Sequence, residues 1–536
     1  MAIERVQPGM SLSGEIPKAK NIVICCDGTG NEFGDQNSNV VKLYRTLIRG
    51  TDKQLTYYHP GVGTMGAKNA LSAAGKAWTR IRGLAFGYGL SENIADAYQF
   101  LMHNFVSGDR LFIFGFSRGA YTARALCGML EMFGLLSSGN EELIPYAMRL
   151  FKSSNSGLMF RIKQRFTTVP NKFRTAAGFK STFCKECKPH FLGLWDTVSS
   201  VGWILDPIGL KPGRLPYTFA LNEVSMIRHA VSVDERRAFF RQNLVEEDPT
   251  RDIKQVWFPG VHSDVGGSYP EAESGLSKIS LRWMLIAASQ AGLLVDDALV
   301  TRVLGGDPGY ARPSCTAMIH NSLTLPWWIG EFWPKWTKRR VSPLGQEPEK
   351  FRGWPRMNLF RRRTINGNEM IHQSVIDREK ANPKYKPHNL PLPPRVENDP
   401  GYQQIRLHMK PNQEVTVAVH ARLKWNDTGV ELHAGERYSL TAIGHWSDAT
   451  INSDADGYES PNILFRSLQR LRRMQNANWF ALIGAVGING ETAFTIGKCA
   501  EITATVEGVL HCFANDLSFM YGNNSGFIKL TIKRLD

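Results

Sequence analysis

The sequence predicts a chain of two parts: an α/β part built on a mostly parallel sheet, followed by a small all-β sandwich. From about residue 20 to 320, short apolar stretches alternate with helix-like segments, which is typical of parallel sheets. A proline-rich linker at 382–401 then leads into alternating residues and turn signals. With 536 residues, the chain is also too long for one core. We predict domains at 1–400 and 401–536.

Composition narrows the range of partners. Hydrophobic residues make up 43% and charged residues 21% of the chain, as in ordinary globular proteins, and no apolar run is long enough to span a bilayer. The first twenty residues lack the apolar core of a signal peptide, so we expect a cytoplasmic protein that leaves its cell only by a dedicated secretion machine. The net charge of +15 favours an anionic partner. Because no nucleic-acid module accompanies the charge, a membrane surface is favoured over nucleic acid.

Four predicted strands end in polar, reactive residues. Ligands of open α/β sheets bind at the carboxyl ends of the strands, so these residues are expected to meet at one edge. The four segments are NIVICCDGTGN (21–31), RLFIFGFS (110–117), HFLGLWDT (190–197) and IKQVWFPGVHSD (253–264).

The second of these strands leads into a Gly-x-Ser-x-Gly turn centred on Ser117. This pentapeptide alone is weak evidence, but a strand precedes it and the helix-like AYTARALCGMLEMF follows it. Glycines at 115 and 119 permit a turn sharp enough to expose the serine oxygen at the start of the helix. The pattern predicts a nucleophilic serine.

A serine hydroxyl needs a base to take its proton and an acid to orient that base. On this kind of sheet the expected chain order is Ser, then Asp or Glu, then His, and Asp196 and His262 satisfy it. His229 is the main rival base, but its context favours a structural role. Asp264 rivals Asp196, yet it follows His262 in the chain and is better suited to supporting the loop.

An ester hydrolase also needs donors for the developing oxyanion. We assign one to the backbone N–H of Arg118 and the second to Gly28 or Thr29 in the turn CDGTGN. Asp27 either orients this loop or contacts His262, and the sequence does not choose between the two. No Lys-Ser/Thr pair follows the glycines, as a phosphate-binding P-loop would require. This chemistry needs no metal or other cofactor.

Five collinear blocks resemble the first, Tle1-like family of type VI secretion lipase effectors: ICCDGTGN, FGFSRGAYTAR, FLGLWDTVSSVG, RHAVSVDERRAFF and QVWFPGVHSDVGGSY. The resemblance spans about residues 18–380 and implies an α/β-hydrolase-like domain. It implies a phospholipase A-type lipase or esterase with Ser117, Asp196 and His262 as the triad. Members of this family are antibacterial effectors that hydrolyse glycerophospholipids in a rival's periplasm, so secretion spike or tube proteins and an immunity protein become expected partners.

Residues of about 412–533 resemble the PA-I type, calcium-dependent galactose-binding lectins, notably in ANDLSFMYGNNSGFIKLTI. The resemblance implies a calcium site with ligands at Asp516, Met520, Asn523, Asn524 and near Asp448. The alternative is a structural sandwich that binds no calcium. The family's sugar-contacting His and Gln would fall near Ser460 and Ile463, so the resemblance does not extend to the sugar contacts.

Two insertions carry much of the basic charge. Residues 151–189 hold nine Lys or Arg against one acid, and 323–363 hold five of the 13 tryptophans with ten basic residues. Tryptophan with Arg and Lys favours a membrane interface. The alternative is that the tryptophans pack against the body while the charges are solvated.

Three functions therefore stand: a phospholipase acting on bilayers, a soluble esterase or thioesterase, and a binding protein with an idle hydrolase domain.

Overall fold

The computed structural model describes most of the chain. The described residues are 19–28, 34, 36–61, 90–153, 172–198, 217–238, 240–307, 309–332, 357–399, 402, 407–459, 469–488 and 490–536.

The N-terminal part is built on a parallel sheet. Its strands, together with those of a separate two-stranded sheet, are β1 (Asn21–Cys26), β2 (Gln54–His59), β3 (Arg110–Phe116), β4 (Leu135–Leu136), β5 (Cys184–Lys185), β6 (Pro189–Trp195), β7 (Met226–Ser232), β8 (Asp252–Phe258), β9 (Met370–His372) and β10 (Arg395–Glu397). Among the described residues the sheet has eight strands in the order β2-β1-β3-β6-β7-β8-β9-β10, and every neighbouring pair is parallel. The pair β4-β5 forms a separate two-stranded antiparallel sheet.

Helices cover both faces of this sheet, as a parallel sheet requires. Along β1, Ile22 and Ile24 join one hydrophobic core, whereas Val23 and Cys25 join the core on the opposite face. The described helices are α1 (Asn39–Thr46), α2 (Leu90–Asn104), α3 (Arg118–Phe133), α4 (Ile144–Ser153), α5 (Lys172–Phe183), α6 (His262–Gly266), α7 (Gly275–Gln290), α8 (Asp297–Thr301), α9 (Leu325–Phe332) and α10 (Gln373–Ala381).

The sheet changes direction at β1. The chain goes from β1 outward to β2 and then returns to place β3 on the other side of β1. Such a switch point opens a crevice beyond the carboxyl ends of the two strands. The predicted nucleophile at the end of β3 and the turn at the end of β1 both lie there.

In its described residues, the C-terminal part forms two five-stranded sheets. Its strands are β11 (Leu407–His408), β12 (Glu414–His420), β13 (Asn426–Leu432), β14 (Arg437–Asp448), β15 (Ile451–Ser453), β16 (Leu482–Val486), β17 (Phe494–Thr495), β18 (Cys499–Thr503), β19 (Gly508–Ala514) and β20 (Asn524–Arg534). The two sheets have the orders β11-β13-β19-β16-β17 and β12-β20-β14-β15, where β18 also pairs with β14. Buried residues of both sheets, among them Leu482 of β16 and Leu530 of β20, form one shared core.

The predicted fold class, a mostly parallel α/β sheet followed by all-β sheets, is confirmed. The prediction that 382–401 is only a linker is wrong at one point, because β10 within it pairs with β9 and adds an edge strand to the main sheet. An edge strand pairs on one side only and tolerates nearby prolines, which is why the composition did not indicate it.

The two basic insertions are described in part. Residues 154–171 and 333–356 lie outside the described residues, and with them most of the predicted cationic surface. In the first insertion, Phe179 of α5 is buried edge-on against Phe133 of α3, with ring centroids 5.8 Å apart. Over the described part of the chain, no helix has the length and apolar character needed to cross a bilayer.

Candidate active site

Ser117 occupies a strained turn between β3 and α3. Its φ of 59° and ψ of −118° are unfavourable for a residue with a side chain. The flanking glycines make the turn possible: a Cβ at Gly115 would lie 2.6 Å from the carbonyl oxygen of Gly119. A Cβ at Gly119 would lie 2.2 Å from the carbonyl oxygen of Cys26, at the end of β1. The two glycines therefore permit a sharp strand-to-helix turn that presents the serine at the edge of the sheet.

Three of the predicted site residues meet at this edge. His262 Nε2 lies 2.8 Å from Ser117 Oγ, and His262 Nδ1 lies 2.5 Å from Asp196 Oδ2. A carboxylate can only accept, so Nδ1–H donates to Asp196 and Nε2 is left to accept the serine proton. This is the geometry in which a histidine can act as general base toward a hydroxyl.

Asp196 is held by contacts that the sequence did not indicate. Its backbone φ of 39° is again in the left-handed region, directly after β6. The Arg363 guanidinium binds both carboxylate oxygens, at 2.5 and 3.0 Å, and the Ser232 N–H donates to Oδ1 at 2.9 Å. Burial alone would raise the pKa of Asp196, but Arg363 and His262 hold it well below its usual range. Asp196 is therefore an anion at every physiological pH.

The His262 ring is enclosed by aromatic side chains. Phe116 stacks on it with centroids 4.7 Å apart, and Phe240 meets it edge-on at 4.8 Å. Burial lowers the pKa of His262 below its ordinary value, although the hydrogen bond to Asp196 acts in the opposite direction. A neutral imidazole at neutral pH is the protonation state that a general base needs.

The backbone of His262 is positioned by a second buried carboxylate. The His262 N–H donates to Glu235 Oε2 at 3.1 Å, and Arg237 binds the same carboxylate with two hydrogen bonds, at 3.0 and 2.9 Å. Burial would raise the pKa of Glu235, but Arg237 lowers it to about 2. The Arg237 guanidinium also lies over the Phe240 ring, 3.5 Å from its centroid, which links both supports of His262.

The rival histidine, His229, lies within β7 and makes structural hydrogen bonds. Its Nε2 accepts from the Thr197 N–H at 3.3 Å and its Nδ1 donates to Gln255 Oε1 at 3.2 Å. Burial lowers its pKa to about 3, so the ring is neutral. His229 thus holds the backbone directly after Asp196, and both of its ring nitrogens are engaged away from Ser117.

The residues assigned to the oxyanion site are described only in part. Arg118 is the first residue of α3, whose first-turn N–H groups have no acceptor within the helix. The Gly28 N–H donates to Asp27 Oδ1 at 2.6 Å, and Thr29 lies outside the described residues. Tyr58 Oη donates to Asp27 Oδ2 at 2.8 Å. Of the two roles left open for Asp27, these contacts correspond to orienting the loop.

Asp264 lies in the same short helix as His262 and supports its start. Its Oδ2 accepts from the Val261 N–H at 3.0 Å, and its Oδ1 lies 2.6 Å from His320 Nδ1. The His262 ring instead bonds Asp196 and Ser117. The placement of Asp264 corresponds to the loop support assigned to it from the sequence.

Sequence reasoning missed the two charged side chains nearest the triad. Arg363 is the last residue of the basic insertion 323–363, which was interpreted as a membrane interface or as a solvated face. Both interpretations are wrong for Arg363, because its side chain is buried, with the residue 6% exposed, and binds Asp196. Glu235 belongs to the run Asp234–Arg237, which directly follows the buried strand β7. The position of Glu235 in a charged run directly after a buried parallel strand could have indicated a functional residue. No comparable signal in the sequence points to Arg363.

The residues proposed for calcium lie together in the C-terminal sandwich. Asn524 Nδ2 donates to Asp516 Oδ2 at 3.0 Å, and Asn523 Nδ2 donates to Asp448 Oδ1 at 2.7 Å. Asp448 and Asn524 are direct partners across β14 and β20. The Met520 carbonyl accepts from the Asn523 N–H at 3.3 Å. The structure thus brings all five residues to one loop region.

Comparison with known proteins identifies the family. The model of the family described as "T6SS, Phospholipase effector Tle1-like, catalytic domain" matches residues 20–287. This chain belongs to that family of type VI secretion effectors. Membership supports the function of a phospholipase effector and the activity of a lipolytic hydrolase.

A relative and three solved structures are also similar to the chain. "Uncharacterized protein YEL023C" of Saccharomyces cerevisiae is 38% identical over 242 residues, covering 43% of this chain and only 33% of the yeast protein. "Crystal structure of an uncharacterized protein from Pseudomonas aeruginosa" is 20% identical, covers 53% of this chain and 47% of that one, and has a TM-score of 0.29.

The two other structures cover different parts of the chain. "Structure of the Tle1 effector bound to the VgrG spike from the Type 6 secretion system" is 17% identical, covers 51% of this chain and 57% of that one, and has a TM-score of 0.25. "EclA N-terminal domain; PllA-like lectin" is 20% identical, covers 22% of this chain and 94% of that one, and has a TM-score of 0.18. All three TM-scores are below 0.5.

Proposed function

We propose that this protein is a serine hydrolase that cleaves acyl esters of membrane glycerophospholipids. The observation that carries the proposal is the hydrogen-bonded series from Ser117 Oγ through both ring nitrogens of His262 to Asp196. Family membership supplies the substrate class.

The reaction proceeds in two halves. His262 Nε2 takes the Ser117 proton while Oγ attacks the acyl carbonyl, and His262 then gives that proton to the departing lysolipid oxygen. Water, deprotonated by the same nitrogen, attacks the acyl-enzyme and releases the fatty acid. Asp196 stays ionised throughout and stabilises the imidazolium that forms in each half. The Arg118 N–H, together with one from Gly28 or Thr29, is our assignment for the oxyanion donors. Gly28 would serve only by exchanging its bond to Asp27 Oδ1 for one to the oxyanion.

Product analysis on a positionally labelled phospholipid tests this function. We expect the wild-type protein to release fatty acid from mixed vesicles and Ser117→Ala to lose roughly 10⁴-fold or more of that activity. Hydrolysis that survives the substitution would contradict the triad. Equal turnover of a short-chain, water-soluble ester, with no gain from anionic lipid, would instead favour the soluble esterase.

An exposed aromatic surface next to the site supports a bilayer substrate. Trp328 and Phe332 of α9 are 44% and 50% exposed, and both meet the ring of Phe360 edge-on. The preceding residue, Trp327, contacts Phe240, which itself contacts His262. Trp and Phe are suited to the headgroup level of a bilayer, so this surface would bring the site to the lipid.

Replacing the exposed aromatic residues of this surface should distinguish membrane binding from ester hydrolysis. We expect the double variant Trp328→Ser, Phe332→Ser to hydrolyse vesicles roughly 30-fold more slowly, because each of the two aromatic rings contributes on the order of 1 kcal/mol by burial in lipid. Turnover of a soluble ester should stay unchanged. The matched control is Val106→Ser, since Val106 is 43% exposed and precedes β3 at the opposite edge of the sheet. Equal losses on both substrates would show that the two aromatics serve the fold.

Family membership also supports delivery as an antibacterial effector, cytoplasmic in the producer and active in the periplasm of a rival. Its expected partners are spike or tube proteins of the secretion system and an immunity protein. The test is expression directed to the periplasm of a Gram-negative host, where the wild type should stop growth and Ser117→Ala should not. Equal growth of both strains would contradict the antibacterial role.

We propose a calcium ion in the C-terminal sandwich. Asn524 is buried and its Oδ1 has no hydrogen-bond partner among the described residues, which is a costly arrangement unless a cation binds there. Burial and, to a smaller extent, the nearby Asp448 charge raise the pKa of Asp516, so a cation at this position would stabilise its ionised form. Such oxygen ligands suit Ca²⁺, which would neutralise the two carboxylates and stabilise the loop.

Thermal unfolding with calcium or with a chelator tests the metal site. We expect calcium to raise Tm of the wild type and to have no effect on Asp516→Ala. The control is Asp456→Ala, because the Asp456 side chain is exposed and paired with Lys498. A wild-type Tm independent of calcium would favour a calcium-free sandwich.

A further inference from the structure

A second histidine, His320, lies close to the site and contacts Asp264 of α6, the helix that also carries His262. His320 Nδ1 is 2.6 Å from Asp264 Oδ1, and His320 Nε2 is 2.7 Å from Glu273 Oε2. Both carboxylates can only accept, so both ring nitrogens donate and the ring is an imidazolium. Tyr269 stacks on it with centroids 3.5 Å apart, a contact that favours the cation.

The charges around His320 alternate in sign and reach the C-terminal sandwich. Arg422, between β12 and β13, forms an ion pair with Glu273 at 2.8 Å. A second contact joins the same two parts, because the Arg312 guanidinium donates to the Thr428 carbonyl at 3.1 Å. The ion pair connects the sandwich, through Glu273 and His320, to Asp264 of the helix that carries the candidate base. The hydrogen bond joins the sandwich to the segment that follows α8.

Asp264 transmits this connection to His262. Its second oxygen accepts from the backbone N–H of Val261, the residue before His262, and from the backbone N–H of His320 at 3.2 Å. The packing is tight here, since a Cβ at Gly260 would lie 2.4 Å from the Asp264 Cβ. A displacement of Asp264 therefore moves the start of α6, and with it the imidazole opposite Ser117.

We infer that His320 is a positioning residue for the hydrolysis proposed above: its imidazolium ties the helix of His262 to Glu273 and, through Arg422, to the C-terminal sandwich. The inference rests on the proposed function. Both ring nitrogens of His320 are engaged by carboxylates, so it acts on His262 through Asp264. Turnover in this protein thus depends on the docking of the sandwich as well as on the triad.

The arrangement has a pH dependence of known sign. The groups that face His320 are Asp264 on α6, Glu273 with its partner Arg422, and the Tyr269 phenol. Burial would lower the pKa of His320, but the two carboxylates raise it to about 9. A raised folded-state pKa means that the stabilisation is fully present below about 6.5, the ordinary value, and is lost as pH rises through about 9.

The test uses the full chain and a water-soluble ester, which removes membrane docking from the readout. In His320→Gln, the side-chain amide can donate to only one of the two carboxylates. We expect kcat to fall about tenfold while KM stays within about twofold of the wild-type value, because a small displacement of His262 costs this much or more in rate. Wild-type kcat should decline as pH rises through about 9, and His320→Gln should lack this limb. His388→Gln is the control, since His388 is an exposed histidine.

Two further variants test the positive charge of residue 320 and the ion pair to the sandwich separately. His320→Arg retains a planar cation that can stack on Tyr269 and donate to both carboxylates, so it should restore kcat and stay active above pH 9. Arg422→Gln, at a half-exposed residue of the other domain, should lower kcat by about two- to threefold.

Unchanged kcat and pH profile in His320→Gln, beside an active wild type, would overturn the inference alone. A wild type that neither hydrolyses the ester nor is labelled at Ser117 by a fluorophosphonate would overturn the proposed function itself.

Discussion

His262 and His320 both bind carboxylates near the same short helix, yet their pKa values shift in opposite directions. Within the described residues, the His262 ring bonds one carboxylate, Asp196, which also binds Arg363. Burial outweighs the hydrogen bond to Asp196 and lowers the pKa of the ring. His320 lies between two carboxylates, which outweigh burial and raise its pKa to about 9. The charge next to each imidazole therefore separates a candidate base from a ring that is a cation at neutral pH.

His229 extends the comparison to a histidine without a carboxylate in hydrogen-bond contact. Its partners are the neutral groups of Thr197 and Gln255, and burial lowers its pKa to about 3. The three rings are all largely enclosed by protein, so burial alone does not identify a catalytic histidine. The hydrogen-bond partners of each ring, and the net charge of those partners, distinguish the candidate base from the other two histidines.

The largest expected effect is that of Asp196→Asn. Asn can donate to His262 Nδ1, which favours the wrong tautomer of the base, and we expect kcat to fall roughly 10⁴-fold. Far-ultraviolet circular dichroism checks that the fold is intact. A loss of less than about tenfold would show that another acid orients His262.

Arg363→Met tests why His262 stays neutral. Without the guanidinium, the negative charge of Asp196 acts on His262 unopposed, so the acid limb of kcat/KM should move to higher pH than in the wild type. Unfolding in urea should show a loss of about 3–5 kcal/mol, because a buried charge loses its partner. Arg361→Met, at a neighbouring exposed arginine, is the control and should change neither quantity. An unmoved acid limb in Arg363→Met would remove Arg363 from the explanation.

The acid limb of the wild type is itself informative. Because the pKa of His262 is lowered, kcat/KM should keep its full value down to a pH below the ordinary histidine pKa of about 6.5 and then fall as the base is protonated. A midpoint above that value would mean that the Asp196 charge dominates over burial.

The smallest effect is expected for His229→Gln. Glutamine can still accept from the Thr197 N–H, so kcat should stay within about threefold of wild type and the acid limb should not move. A shift of that limb would identify His229, and not His262, as the titrating base.

The sequence was sufficient to predict the parts of this site that are local. The glycines beside Ser117 predict its strained turn, and strand ends predict that Asp196 and His262 lie at the same edge of the sheet. Arg363 could not be predicted, because its partner is 167 residues away and its neighbours in the chain are those of a basic surface segment. No local pattern indicates a contact of that separation.

Two other features show the same limit. The short strands β9 and β10 are recognisable only through their neighbours, since three residues carry no periodicity. His320 follows no strand, and its role depends on carboxylates from two other segments. Local sequence patterns do not predict the roles of charged residues whose partners are distant in the chain.

Labelling with a fluorophosphonate that carries a reporter group tests most directly whether Ser117 is the nucleophile. We expect stoichiometric modification of the wild type at the peptide that contains Ser117, slow labelling of Asp196→Asn, and none of Ser117→Ala. A folded wild-type protein that stays unlabelled, or one labelled at a different serine, would contradict the assignment of Ser117 as the nucleophile.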